Sequence, residues 1–348
     1  MFSPRLILPL VAVAVASTGL WLAFARDRSA GGKSFELLNV SYDVSRELWK
    51  DLNAAFAPAY EQQTGARVTI HQSHAGSSSQ ARSIVDGLDA DVATLNLFTD
   101  TDLLRKKGLI PEDWQGRLPN NSLPFTSTIV FVVRKGNPLG IYDWPDLIRP
   151  GITAITPNPK TSGLGKLSFL AAWGSVLHAG GTEAEAKEYV ATLFNRIPVL
   201  DTSGRAATTT FSQKGIGDVH LTFENEARLE VAEAKGELEI VHPSVSLVAE
   251  PYVTVVDANV DRHGTRTVAD GYLRFLYTRE GQEIIARHHL RPIDPAVMEH
   301  HAESFPPLKL LSITEIAAGW DEAQERFFTE GALFDQIYQP ATATDSSK

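Results

Sequence analysis

The sequence predicts an α/β chain of two lobes, joined by two crossover strands that leave a ligand cleft between them. Three observations lead there. The 348 residues are too many for one compact core and suit two of ordinary size. After Lys33, short β-rich runs alternate with amphipathic helical stretches, the pattern of a largely parallel sheet covered by helices. Finally, two β-branched runs, Thr126–Arg134 and Pro251–Asp257, are set off by Pro124, Gly136-Asn137-Pro138 and the loop around Pro243, and read as strands passing between lobes.

Each element follows from local pattern. Phe35–Val40 reads as a strand. Over residues 44–63, Leu48, Leu52 and Phe56 recur every four positions, a helical stripe. Val68–Gln72 is the next strand, then a helix with Ala81, Ile84, Val85 and Leu88 on one face, then the strand Val92–Phe98. With the two crossovers, residues 34–125 plus 252–340 form lobe one and 126–251 form lobe two. Residues 341–348 are small and polar and read as a disordered tail. No period of 20–50 residues repeats, which argues against solenoids and propellers.

Residues 1–33 carry a localisation signal: Arg5 precedes an apolar run from Leu6 to Phe24, and Ala23-Phe24-Ala25 matches a cleavage site before Arg26. The run is long for a signal segment and nearly long enough to span a bilayer, so a retained N-terminal anchor is the alternative. Either way, the rest of the chain is expected outside the cytoplasm. Cysteine is absent, so a lipoprotein anchor, disulfides and thiolate metal sites are excluded. The formal net charge of −10 argues against nucleic acid or anionic lipid as a partner.

The chemistry lies in Ser/Gly-rich turns that open helices. In His74-Ala75-Gly76-Ser77-Ser78-Ser79-Gln80, Ser77 and Gln80 form an S-x-x-Q capping box. A helix starting there offers free amides and its positive dipole end to an anion. The second turn, Asn158-Pro159-Lys160-Thr161-Ser162-Gly163-Leu164-Gly165-Lys166, has the small residues that let backbone approach a ligand. It is no nucleotide P-loop: its leading glycine would fall at Lys160, and Leu167 stands where Ser or Thr should follow the lysine. The third turn runs from Asp201 through Ser203, Gly204 and Arg205 to Thr210; Arg205 either bonds an oxyanion or orients the loop from outside. Ser41-Tyr42-Asp43 is a fourth candidate. Each alone is an ordinary capped loop; together they suggest one anion surrounded by amides.

Several of these segments, Leu38-Asn39-Val40-Ser41-Tyr42-Asp43, Gln63-Thr64-Gly65 with Gln72-Ser73-His74, and Asn158-Pro159-Lys160-Thr161-Ser162-Gly163, resemble the prokaryotic sulfate-binding protein family. Phe223-Glu224-Asn225-Glu226-Ala227, Glu250-Pro251, Thr126-Ser127-Thr128 and Gly281-Gln282-Glu283 extend the likeness across Phe35 to Tyr338. The resemblance implies a type II periplasmic-binding-protein fold and a receptor that captures sulfate, or thiosulfate, for an inner-membrane ABC permease. It implies a periplasmic monomer with no cofactor, no metal and no catalytic activity. The ligand donors it implies are the Asp43 amide, the Ser77 and Ser162 hydroxyls, and the amides of Gly163, Leu164 and Gly204, with Arg205 supporting its loop. Two positions depart from the family pattern. Gly165-Lys166 replaces Ala-Arg, and Phe223 stands where the family has a cleft tryptophan that donates its indole hydrogen.

Hydrogen bonds to a charged group contribute roughly 1.5–3 kcal/mol each, so six or seven can offset the desolvation of a dianion. A site made only of donors rejects hydrogen phosphate, whose proton needs an acceptor, and should bind sulfate with little dependence on pH. A receptor for another oxyanion such as molybdate is the alternative. A secreted serine hydrolase would need Ser77 activated by His74, but no G-x-S-x-G elbow is present. A metal receptor could draw on His288-His289 or His300-His301, yet adjacent histidines are expected to diverge and no acidic spacing accompanies them.

Overall fold

Strand β1 (Ser34–Tyr42) and strand β2 (Arg67–Ala75) pair in parallel, from Ser34 opposite Arg67 to Tyr42 opposite Ala75. These coordinates are a computed structural model that describes residues 32–338; the expected N-terminal signal or anchor and the expected tail lie outside the described residues. Between the two strands runs α1 (Arg46–Thr64), which buries Leu48, Trp49, Leu52 and Phe56 and stops at Gly65, whose φ of 72° closes it left-handed. After β2 come α2 (Ser77–Val85), β3 (Val92–Leu95) and α3 (Phe98–Lys106). The strand expected to reach Phe98 stops at Leu95 because the next helix begins at Phe98.

Strand β4 (Phe125–Arg134) leaves this body for the second sheet. There lie β5 (Ala154–Ile155), α4 (Gly163–His178), α5 (Glu183–Asn195), α6 (Gly204–Thr208), β6 (Val219–Phe223), α7 (Glu224–Glu233), β7 (Leu238–Val241) and β8 (Val245–Ala249). The chain returns through Glu250-Pro251 to β9 (Tyr252–Val255), followed by α8 (Asp257–His263), α9 (Arg266–Phe275), α10 (Arg279–Arg287), β10 (Arg291–Pro292) and α11 (Pro295–His300). The first sheet has the order β2-β1-β3-β9, with β9 antiparallel to β3. In the second sheet β4 is the spine: Phe125 and Thr126 pair with β10, Ser127 and Thr128 with β8, and Ile129–Val133 with β6. Both expected crossovers are therefore present.

One segment departs from the expectation that 252–340 belongs wholly with lobe one. Strand β11 (Lys309–Leu311) pairs in parallel with β8 of the second sheet. Phe327, Phe328, Phe334 and Ile337 then pack into that sheet's core, with Phe327, Phe328 and Phe334 against Phe169 of α4. The cause is α4 itself: residues 163–175 are all buried, a largely apolar helix that needs cover all round.

The core around α4 also includes Tyr42, Val44 and Leu97 from the first body, so the lobes are in apolar contact across the cleft. Among the described residues no helix is long and apolar enough to cross a membrane.

Candidate anion-binding site

The turns singled out in the sequence meet where the two lobes touch. Asp43 follows directly on β1 and is buried; its carboxylate Oδ2 accepts the Arg205 amide at 2.9 Å, tying the first turn to the third across 162 positions of sequence. A Cβ on Gly76 would stand 2.5 Å from the Thr161 carbonyl oxygen and 3.1 Å from that of Thr202, so glycine is what lets these three loops approach. Ser79 Oγ donates to the Thr161 carbonyl at 3.3 Å, and Thr161 Oγ1 to the Thr202 carbonyl at 2.9 Å. On the other side, a Cβ on Gly204 would come within 3.0 Å of Val44 and 3.1 Å of Leu164. Asp43, Ser77, Ser162, Gly163, Leu164, Gly204 and Arg205 are thereby gathered from both lobes.

What gathers is mostly donor. Helix α4 starts at Gly163, and its first amides have no carbonyl four residues back to bond. Ser162, its N-cap, makes no capping hydrogen bond with its side chain. In the third turn the Arg205 amide is taken by Asp43 and Ser203 caps Ala206 at 3.4 Å, which leaves the Gly204 amide.

Ser77 behaves differently from its expected role. The S-x-x-Q box does not form: Gly76 is the N-cap, and Gln80 donates to Ser73 Oγ at 3.1 Å. Ser77 Oγ gives its proton to Asp100 at 2.7 Å and accepts the Asn96 amide at 3.1 Å. Ser78 Oγ also donates to Asp100, at 2.9 Å. A buried carboxylate binds hydroxyl donors more strongly than a backbone amide presents an acceptor need, so the serines turn to it. With its single proton engaged, the Ser77 hydroxyl is not a free anion donor in this arrangement. Nor is it the nucleophile of a hydrolase: His74 Nδ1 meets Ser41 Oγ at 2.8 Å and Nε2 meets Gln72 at 2.6 Å. Burial and nearby Arg46 lower the His74 pKa to about 4.

The two cations of the cluster, Lys166 and Arg205, are turned to carboxylates of the protein. Asp100 also faces Lys166 at 3.7 Å, an ion pair between lobes, both side chains under a tenth exposed. Burial lowers the Lys166 pKa, with Asp100 opposing, and Lys166 Nζ also donates to Gln324 at 3.0 Å. Lysine thus fills the charged position that the family pattern gives to arginine. The Arg205 guanidinium turns to Glu47 at 2.8 Å and Glu226 at 3.4 Å. This geometry fits the loop-orienting alternative. Glu226 is nearly fully buried; burial pushes its carboxyl up to about 7, against the pull of Arg205.

Phe223, the last residue of β6, is 2% exposed and packs edge-on against Tyr42, centroids 6.2 Å apart. It borders the cluster through the neighbour of Asp43, within the joint core. Sequence reasoning missed Asn96. Its Oδ1 is buried without a hydrogen-bond partner, and a Cβ on Gly163 would fall 1.8 Å from it, so the amide group lies against the opening of α4. An asparagine directly after the buried strand Val92–Leu95 and before Leu97 was the available signal.

The profile of a family described as bacterial extracellular solute-binding protein matches residues 46–291. A thiosulfate-binding protein of Pseudomonas aeruginosa is 52% identical over 306 residues, 87% of this chain and 92% of that protein. A sulfate-binding protein of Escherichia coli is 50% identical over 311 residues, covering 89% and 94%. The chain belongs to the sulfate/thiosulfate-binding family of extracellular solute-binding proteins. The solved structure of the sulfate-binding protein SubI from Mycobacterium tuberculosis H37Rv superposes with a TM-score of 0.77 at 34% identity, over 85% of this chain and all of that one. The two-lobed type II fold of this solute-binding protein is thus shared along with its sequence.

Proposed function

We propose that this solute-binding protein captures sulfate or thiosulfate between its lobes and delivers it to the permease of an ABC importer, acting in the periplasm as a monomer without catalysis. The observation that carries this reading is the meeting of uncapped helix-opening amides from both lobes, beside Lys166 and Arg205, whose charges are turned to carboxylates of the protein. The anion is held by the amides of Asp43, Gly163, Leu164 and Gly204 and by the Ser162 hydroxyl, while Arg205 holds its loop against Glu47 and Glu226. The lobes that close on it are residues 34–125 with 252–308, and 126–251 with 309–338.

Such donors bind a tetrahedral dianion without a countercharge, which reconciles anion binding with a net charge of −10. The names of the relatives at 52% and 50% identity support the choice of ligand. Calorimetry with sulfate, thiosulfate, molybdate and phosphate tests it. Sulfate and thiosulfate should bind, and phosphate at least 100-fold more weakly than sulfate, about 2.7 kcal/mol. Comparable phosphate and sulfate affinities would overturn the donor-only site.

A further inference from the structure

We infer that Glu283, His300 and His301 form a second site, separate from the anion cluster, for a borderline transition-metal dication such as Zn2+. One ligand atom from each of the three lies within 4.8 Å of the others. Glu283 Oε2 stands 2.9 Å from His301 Nε2, and Glu283 Oε1 stands 3.6 Å from His300 Nδ1. A tetrahedral ion with ligands near 2.0–2.2 Å needs its donor atoms roughly 3.3 Å apart. The two separations run from the two oxygens of one carboxylate and lie on either side of that value, and one donor atom from each residue lies within 4.8 Å of the others, so side-chain rotations bring three donors to an ion.

Adjacent histidines were expected to diverge, and the backbone explains why these two do not. His300 is the last residue of α11, and His301 caps it with φ −104° and ψ 15°, off the helical register. His300 uses the ring nitrogen nearer its backbone and His301 the one farther out, and both rings turn to the same carboxylate, their centroids 4.8 Å apart. The frame behind them is fixed: Gln282, beside Glu283, donates to the Pro124 carbonyl at 2.9 Å and accepts the Ile293 amide at 2.7 Å. Asp294 caps α11 at Ala296 and Val297. His301 and Glu283 are about four-fifths buried and His300 is 70% exposed, which leaves one side of the site to water or an outside ligand.

Two imidazoles and one carboxylate select Zn2+, Ni2+ or Cu2+ over the oxygen-seeking Mg2+ and Ca2+. Arg279, 3.4 Å from Glu283, competes for the carboxylate and lowers the affinity without filling the site. By contrast, His263 is split between Asp91 at one ring nitrogen and Asp89 at the other, both at 2.9 Å, which places those carboxylates on opposite sides of the ring.

The test is calorimetric titration of the whole protein with ZnCl2 in chelator-free buffer, beside the His300→Ala, His301→Ala and Glu283→Gln variants. The parent should take up one Zn2+, and each variant should bind it about tenfold more weakly or worse, since even supporting residues cost that much in metal sites. Thermal unfolding without metal and the parent's sulfate response, kept in all three, show that the variants are folded. A parent that binds no Zn2+ at one equivalent, folded variants that bind it as the parent does, or Mg2+ bound as tightly as Zn2+, would each overturn the site.

Discussion

Ser77 and Ser162 look alike in sequence and stand at helix starts in opposite lobes, yet the structure uses them differently. Each adjoins a glycine at the start of a helix, and each is buried. Ser77 spends its hydroxyl on Asp100, which also holds Ser78 and Lys166. Ser162 makes no hydrogen bond that caps its own helix, which keeps its hydroxyl uncommitted there. In the proposed site a helix start keeps for the anion the donors that no buried carboxylate takes. In the proposed site the lobe-one wall contributes shape, the Asp43 amide and a charged link to lobe two, and the lobe-two wall contributes most of the donors.

The largest expected effect comes from the shape that lets the two walls meet. Gly76→Ala puts a methyl 2.5 Å from the Thr161 backbone oxygen, which cannot move aside as a side chain would. The φ of Gly76 is −58°, so alanine is otherwise allowed there. Sulfate affinity should fall by about 100-fold or more, roughly 2.7 kcal/mol, with the melting temperature of the ligand-free protein little changed. Calorimetry and thermal unfolding on the same variant check both halves. An unaltered affinity would show that the loops need not approach for binding.

Next come the serines themselves. Ser162→Ala should weaken sulfate binding by about 10- to 100-fold, since a donor to a dianion contributes roughly 1.5–3 kcal/mol. Ser77→Ala should instead act on stability, because it strips one donor from the buried Asp100 carboxylate at a cost of about 1–3 kcal/mol, and should change affinity less than Ser162→Ala does. The reverse ranking in a binding titration would return the Ser77 hydroxyl to the anion and break the contrast drawn here.

Asn96 sharpens it from the other side. Its amide lies against the opening of α4, and the oxygen and nitrogen of such a group exchange places by a half-turn. With the nitrogen toward the cleft it offers the donor that Phe223 cannot. Asn96→Ala should then lower sulfate affinity by about tenfold, or 1.4 kcal/mol. Phe223→Trp should fail to tighten binding, because a buried ring already packed on Tyr42 leaves no space and overpacking costs about 1–3 kcal/mol. A tryptophan variant that binds sulfate tenfold better would put Phe223 in the site and Asn96 outside it.

Much of this was legible in the sequence because its causes are local. The helix stripe of Leu48, Leu52 and Phe56, the β-branched crossovers and the glycine-rich helix starts each need only neighbouring residues. What escaped depends on distant partners. Asp100 lies 23 positions from Ser77 and in a different helix, and nothing around Ser77 announces it. Phe327, Phe328 and Phe334 carry no periodicity that assigns them to one lobe; the wholly buried, largely apolar first turns of α4 explain why they cross to it. The convergence of His300 and His301 rests on a helix end that spacing does not reveal.

The smallest expected effect concerns pH, where neutral donors alone predict almost none. Glu226 breaks that flatness. Burial raises its carboxyl from an ordinary 4.5 to about 7, and it stands 3.4 Å from Arg205, whose amide is held by Asp43. The folded state therefore holds this proton between about pH 4.5 and 7 while the unfolded chain has released it, so the contribution to stability is complete below 4.5 and is lost as pH rises through 7. The same ionisation places a negative charge beside the anion's loop. Sulfate affinity should thus fall between pH 6 and 8, by about threefold, or 0.65 kcal/mol, for a partly screened charge outside direct contact. Bound dianion in turn should raise the Glu226 pKa further, so binding takes up a fraction of a proton near neutral pH. Glu226→Gln keeps the Thr208 contact in shape, removes the titration, and should flatten both profiles. If the pH dependence of affinity is the same with glutamine in place, Glu226 is not its source, and the lobe-two wall is as indifferent to pH as its neutral donors alone would make it.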